Sequence, residues 1–277
     1  MAAMVDADLE PAGPRRTVVE TILGYDRLAA AVVLVVVPLV CWLWIVVMAR
    51  DMYGPMTGAS AWMMTPAWDV RHLLLLWAMW AVMMAGMMLP SAAPTVLLYA
   101  ASQRLQSRRS AVVHIYALAA GYLAVWTLFS LGATALQRGF SALAVVSPMM
   151  MVTSPVAGAL LLLLAGVYQL TPLKQSCLHA CHSPLSFVVH HWRRGAGGAF
   201  QMGLRHGIYC LGCCWALMLL LFVGGVMNLA VIAALTVFVA FEKLSPFGVV
   251  GARVSGVLLI ALAGWMALHG QIGRAHV

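Results

Sequence analysis

Charge is what this sequence has least of. Charged side chains make up 9% of its 277 residues, where a soluble domain carries about 25%. Only eight residues are Asp or Glu, which leaves little material for a paired-carboxylate active site and argues against a hard, oxygen-ligated site of the magnesium type. No hydrolase triad and no phosphate-binding loop is visible. No internal repeat is present either, so an inverted-repeat transporter has no support from symmetry.

What replaces charge is apolar surface. Hydrophobic residues form 64% of the chain, more than a soluble core can hide, and several runs exceed the roughly 18–20 residues needed to cross about 30 Å of hydrocarbon. Backbone polar groups inside lipid must be satisfied within their own segment, so each run is expected to be a helix. The fold class expected is therefore an all-α, polytopic transmembrane bundle embedded in the lipid bilayer. Spans are placed near 28–49, 73–99, 112–136, 156–172, 203–223, 225–242 and 248–269, about seven in all. The division depends on a tight turn at Gly224-Gly225, since one kinked helix over 203–242 would leave six.

Residues 1–27, with Pro11, Gly13 and Pro14, read as a cytoplasmic tail. The run from Leu28 is too long for a signal-peptide core and has no small-residue cleavage site after it, so it is expected to stay as a helix. Residues 270–277 read as a second tail, whose last six residues, Ile272 to Val277, resemble a translated sequencing adapter and are set aside.

The formal net charge of +8 does not imply nucleic acid, because the basic residues stand singly or in pairs at the ends of apolar runs, where they set topology. With the N-terminus in the cytoplasm, twelve of the 16 Lys and Arg fall inside and four, Arg50, Arg71, Arg138 and Arg274, outside. Several breakers sit within or beside the spans: Pro38, the Pro90-Ser91-Ala92-Ala93-Pro94 stretch and Pro172. A proline inside a helix frees a carbonyl and bends the axis, which opens space for a ligand; tolerated packing is the competing reading.

The chemistry-bearing residues are sulfur and imidazole. Five of the six cysteines form two groups, Cys177 with Cys181, and Cys210, Cys213 and Cys214. At 100° per residue, His206, Cys210, Cys213 and Cys214 share one helical face. Met79, Met83, Met84, Met87 and Met88 make adjoining stripes on the second span. Counted from the cytoplasmic side at about 1.5 Å per residue, Cys210 and Cys213 lie about 10 and 15 Å deep and Met87 and Met88 about 16–18 Å deep, so the two sets can meet. Met218, one turn beyond Cys214, extends the sulfur face.

Thiolate and thioether favour Cu(I), while thiolate with imidazole also suits zinc and iron. The expected ion is a soft transition metal, copper first. Outer methionines, Met52, Met56, Met63, Met64 and Met149 to Met151, are placed to collect it. The same residues have plainer readings, because methionine is a flexible apolar filler and a buried cysteine a small hydrophobe. Cys41 and the second-span stripe fit that reading too. His190 and His191, beside Trp192, Arg193 and Arg194, read as interfacial anchors. Haem fits poorly, since His72, His114, His206 and His269 lie near span ends. Glu242 and Lys243 read as boundary charges, although an intramembrane carboxylate is by default suspected of function, here as an inward ligand or proton relay.

Three segments carry a resemblance: Met83-Met84-Ala85-Gly86-Met87-Met88-Leu89-Pro90-Ser91; Tyr168-Gln169-Leu170-Thr171-Pro172-Leu173-Lys174 with Cys177, Cys181 and Pro184; and Gly207 to Met218 with Cys210-Leu211-Gly212-Cys213-Cys214-Trp215. Together, over residues 70–245, they resemble the bacterial family called domain of unknown function 2182, described as predicted metal-binding integral membrane proteins. The resemblance implies a bacterial inner membrane. By position it points to Met83, Met84, Met87, Met88, Lys174, Cys177, Cys181, Cys210, Cys213, Cys214 and the Glu242-Lys243 pair. His179 and His182 lie inside the cysteine segment and are weaker candidates.

Two function classes stay open beside metal handling, transport or metal-dependent redox work, for which membrane or periplasmic metal-handling proteins are the expected partners. One is a membrane thiol-disulfide oxidoreductase using Cys210 and Cys213, a C-x-x-C pair. The other is a structural subunit of a membrane complex whose cysteines merely pack.

Overall fold

In the computed structural model, which describes residues 28–54, 69–106, 111–147 and 150–272, the chain is an all-α polytopic bundle. The outer methionines Met56, Met63, Met64 and Met149, residues 1–27 and the tail beyond Ile272 lie outside the described residues. In chain order the helices are α1 (Leu28–Met52), α2 (Val70–Met88), α3 (Ala93–Gln106), α4 (Ala111–Ala142), α5 (Pro155–Leu170), α6 (Pro172–His182), α7 (Pro184–His191), α8 (Gly195–Met218), α9 (Leu220–Gly224), α10 (Leu229–Leu244) and α11 (Gly248–Ile272).

Five helical stretches are long and apolar enough to cross a membrane: α1, α2, α4, α8 with α9, and α11. The bent pair α5–α6 makes a sixth, turning by 63° at its break. The expectation of about seven spans therefore meets five or six. The shortfall lies at α10, whose 16 residues reach about 24 Å. A turn does divide 203–242, since α9 ends at Gly224 and Gly225 takes φ +92° before α10 starts at Leu229. Leu39, Leu43 and Val47 on α1 and Val254, Leu258 and Trp265 on α11 stay exposed, an apolar belt that suits lipid rather than water.

Local sequence decides where the helices break. Pro90 begins a short 3-10 turn, Pro90–Ala92, in which the Ala92 amide donates to the Leu89 carbonyl. The Met88 carbonyl thereby loses its usual partner four residues on. Ser91 Oγ and Tyr122 OH donate to it instead, at 2.8 and 2.9 Å. The expected span 73–99 is accordingly two helices, α2 and α3.

At the other break, Pro172 holds Thr171 extended (φ −72°, ψ 147°), as a residue before proline prefers. Thr171 Oγ1 then accepts from the Lys174 amide and starts α6 as an N-cap. The stretch 173–202, which the expected spans leave as a connection, is thus largely helical, and Lys174, Leu178 and Cys181 form the buried face of α6.

Close approach of α4 and α8 completes the frame. These helices run in parallel, Leu118 beside Gly203 and Val125 beside Gly207. A Cβ on Gly203 would sit 2.0 Å from the Leu118 carbonyl oxygen, so only glycine permits this contact, as in small-residue membrane packing. The contact carries Tyr122 onto the cysteine face of α8.

Candidate metal centre

Four elements converge on the inner face of α8. Cys210, Cys213 and Cys214 are all buried there. Being helical neighbours, they crowd one carbonyl: the thiols of Cys213 and Cys214 each donate to the Cys210 carbonyl oxygen at 3.0 Å. Cys214 Sγ also lies 3.9 Å from Met88 Sδ on α2. Two sulfurs each about 2.3 Å from one ion stand about 3.8 Å apart at the tetrahedral angle and about 4.6 Å apart in line. The Cys214–Met88 separation falls within that range, so this pair fits a bridging soft ion.

Cys210 has different company. Its sulfur meets Tyr122 OH at 2.9 Å and receives a hydrogen bond from Lys243 Nζ at 2.8 Å. Lys243 also donates to Ser91 Oγ at 3.1 Å. Of the two hydroxyls that satisfy the Met88 carbonyl, that of Tyr122 thus also meets this sulfur and that of Ser91 meets the ammonium beside it. The 3-10 turn after α2 is therefore part of the site and not only a kink.

Lys243, read as a boundary charge, and Lys174, counted on the cytoplasmic side, are both inside the protein. Lys174 and Lys243 are 0% and 5% exposed, and Glu242 is 1% exposed. Buried charge must be paired, and Lys174 Nζ binds Glu242 Oε2 at 2.7 Å while Gln169 Nε2 binds Glu242 Oε1 at 2.9 Å. Both oxygens of Glu242 are thereby occupied, and it serves as the counter-ion of Lys174. Its neighbour Lys243 points around the helix to α8.

The other expected site residues are distributed around this core. Cys181 is buried and its thiol faces that of Cys213. Cys177 is half-buried on Gly212, where a Cβ would come within 2.7 Å of its sulfur. Tyr168 OH donates to the Gly212 carbonyl, tying α5 to the same turn of α8. Met83, Met84, Met87 and Met218 are fully buried in the surrounding core. His206 lies one turn before Cys210, its ring stacked on Tyr122 at 5.6 Å and tilted against Phe187 at 5.2 Å, with Nδ1 buried and unpartnered. His182 bonds the Glu242 carbonyl through Nε2. His179 is exposed and, with His190 and His191, lines a separate cavity of about 370 Å³.

Lys243 was among the positions the resemblance pointed to, although its place at a span end also allowed a boundary charge, while Tyr122 and Ser91 are the members that sequence reasoning missed as site residues. For Lys243 the signal was present, a basic residue closing a long apolar run; for Tyr122 and Ser91 nothing in composition or spacing marked them. Among the described residues no three His, Cys, Asp or Glu side chains stand close enough to hold an ion by themselves.

No curated protein and no solved structure matches the chain. A family model does, and it spans the whole site from α2 to α11. What the resemblance implied holds at the level of a metal-related family. Because the PpoB2 model, described as copper chaperone, matches residues 77–266, more than half of the chain, the protein belongs to that family.

Proposed function

We propose that this protein binds copper as Cu(I) inside the bundle and passes it on, with Cys210, Cys214 and Met88 as the donors. The observation that carries the reading is the 3.9 Å approach of Cys214 Sγ to Met88 Sδ, thiol and thioether from two helices, with the Cys210 thiol on the next turn of α8. Two thiolates and a thioether are a soft donor set. Copper is cargo here, and the chain's own residues position donors, exclude water and balance charge.

Cys213, Cys181 and Cys177 continue the sulfur from α8 onto the facing side of α6. They suit a transfer path on which an ion exchanges one thiolate for the next, and Met84, Met87 and Met218 suit the opposite approach. Zinc and iron fit less well, since a structural zinc site closes four ligands around the ion and among the described residues no three His, Cys, Asp or Glu side chains form such a cage.

The oxidoreductase reading is weaker on geometry. Cys210 and Cys213 lie well inside the unbroken helix α8, where residues three apart have Cβ atoms about 5–6 Å from one another. A disulfide needs about 3.5–4.5 Å, so closing one would distort the helix.

Metal analysis of the purified, Cu(I)-reconstituted chain tests the proposal. The wild type is expected to hold copper and show thiolate-to-Cu(I) absorption in the ultraviolet, and a Cys210→Ser, Cys213→Ser, Cys214→Ser variant to lose both. Equal copper in the two proteins would refute it.

A further inference from the structure

Resting on that copper reading, we infer that Lys243 is the built-in counter-charge of the sulfur site and selects a monovalent ion over a divalent one. The argument is a charge count in the interior. Lys174 and Glu242 cancel one another across 2.7 Å. Lys243 remains, 5% exposed, and among the described residues no carboxylate pairs with it. Its ammonium is aimed at Cys210 Sγ at 2.8 Å and steadied by Ser91 Oγ at 3.1 Å. A buried cation with sulfur as its nearest acceptor is a site waiting for negative charge on that sulfur.

The balance depends on the ion. When Cu(I) replaces the thiol protons of Cys210 and Cys214, two protons leave to solvent and the complex of one positive ion with two thiolates carries one negative charge. Lys243 keeps its own proton and brings the total to zero. Zn(II) on the same two thiolates is already neutral, which leaves the ammonium uncompensated in a low-dielectric interior. Cys213 is turned toward Cys181. Its recruitment as a third thiolate is what would restore balance for a divalent ion.

The experiment compares Cu(I) affinity, read by competition with a chromophoric Cu(I) chelator, and Zn(II) affinity, read with a fluorescent zinc chelator, in the full chain in detergent. Lys243→Met is expected to lower the preference for Cu(I) over Zn(II) tenfold or more, about 1.4 kcal/mol, and Lys243→Arg to retain it. Ser91→Asp, which cancels the ammonium in place, is expected to shift the preference in the same direction and gives the comparison if Lys243→Met is not recovered folded. In a Cys213→Ser background the Lys243 effect is expected to persist. Wild-type preference in both Lys243→Met and Ser91→Asp would overturn the inference while leaving copper binding intact. A wild type that binds neither ion would instead overturn the copper reading and this inference with it.

Discussion

Met88 holds two roles that separate cleanly by substitution. It fills core volume and offers sulfur to Cys214. Met88→Leu nearly conserves volume and removes the donor, so stability is expected to fall by less than about 1.5 kcal/mol while Cu(I) affinity drops at least tenfold. Denaturation and chelator competition on one preparation check both parts. Glu242 supplies a second residue-scale case. Glu242→Gln strands the Lys174 ammonium and is expected to cost about 3 kcal/mol, whereas joining it to Lys174→Met should cost less than the sum of the two singles. Thermal unfolding of the three variants reads the difference.

Helix contacts place these residues, and glycine decides the contacts. Gly203 on α8 admits the backbone of α4, and through it Tyr122 reaches Cys210. Gly203→Leu is expected to force the two helices apart, lowering Tm and copper retention together. Gly197, near the start of the same helix, has nothing within 4 Å of an added Cβ. Gly197→Ala should leave copper binding unchanged and raise stability by up to about 1 kcal/mol. If Gly203→Leu keeps wild-type copper content and Tm, the crossing does not position the site. Much at this scale was legible in the sequence: the i, i+4, i+7, i+8 spacing of His206, Cys210, Cys213 and Cys214 puts them on one helical face, and all four are buried. The expected span 73–99 was not read correctly at its end, because the outcome of the Pro90–Pro94 stretch depends on which hydroxyls come to meet the freed carbonyl. Ser91 is local, but Tyr122 arrives from another helix.

At the scale of the whole molecule, binding that requires donors from α2 and α8 together must stabilise the bundle. A ligand that binds only the folded state adds about 2.7 kcal/mol at a hundredfold excess over Kd. Cu(I) is therefore expected to raise the Tm of the wild type and to leave that of the Cys210, Cys213, Cys214 triple variant unmoved. An equal rise in both would place the copper elsewhere. The same scale bears on orientation. Two of the twelve basic residues assigned to the cytoplasmic side, Lys174 and Lys243, are buried in the bundle, so the bias rests on the arginines.

Apolar excess, scarcity of charge and the spacing of sulfur by themselves determined that the chain is a helical membrane bundle with a soft-donor face, because hydropathy and helical period act along one segment at a time. Tertiary structure alone decided which donors meet and which charges they answer to. Lys243 and Glu242 are adjacent in the chain yet turn to different neighbours, one to a thiol on α8 and one to an ammonium on α6. A one-dimensional pattern registers two charges at a helix end, and only packed helices give each of them its partner.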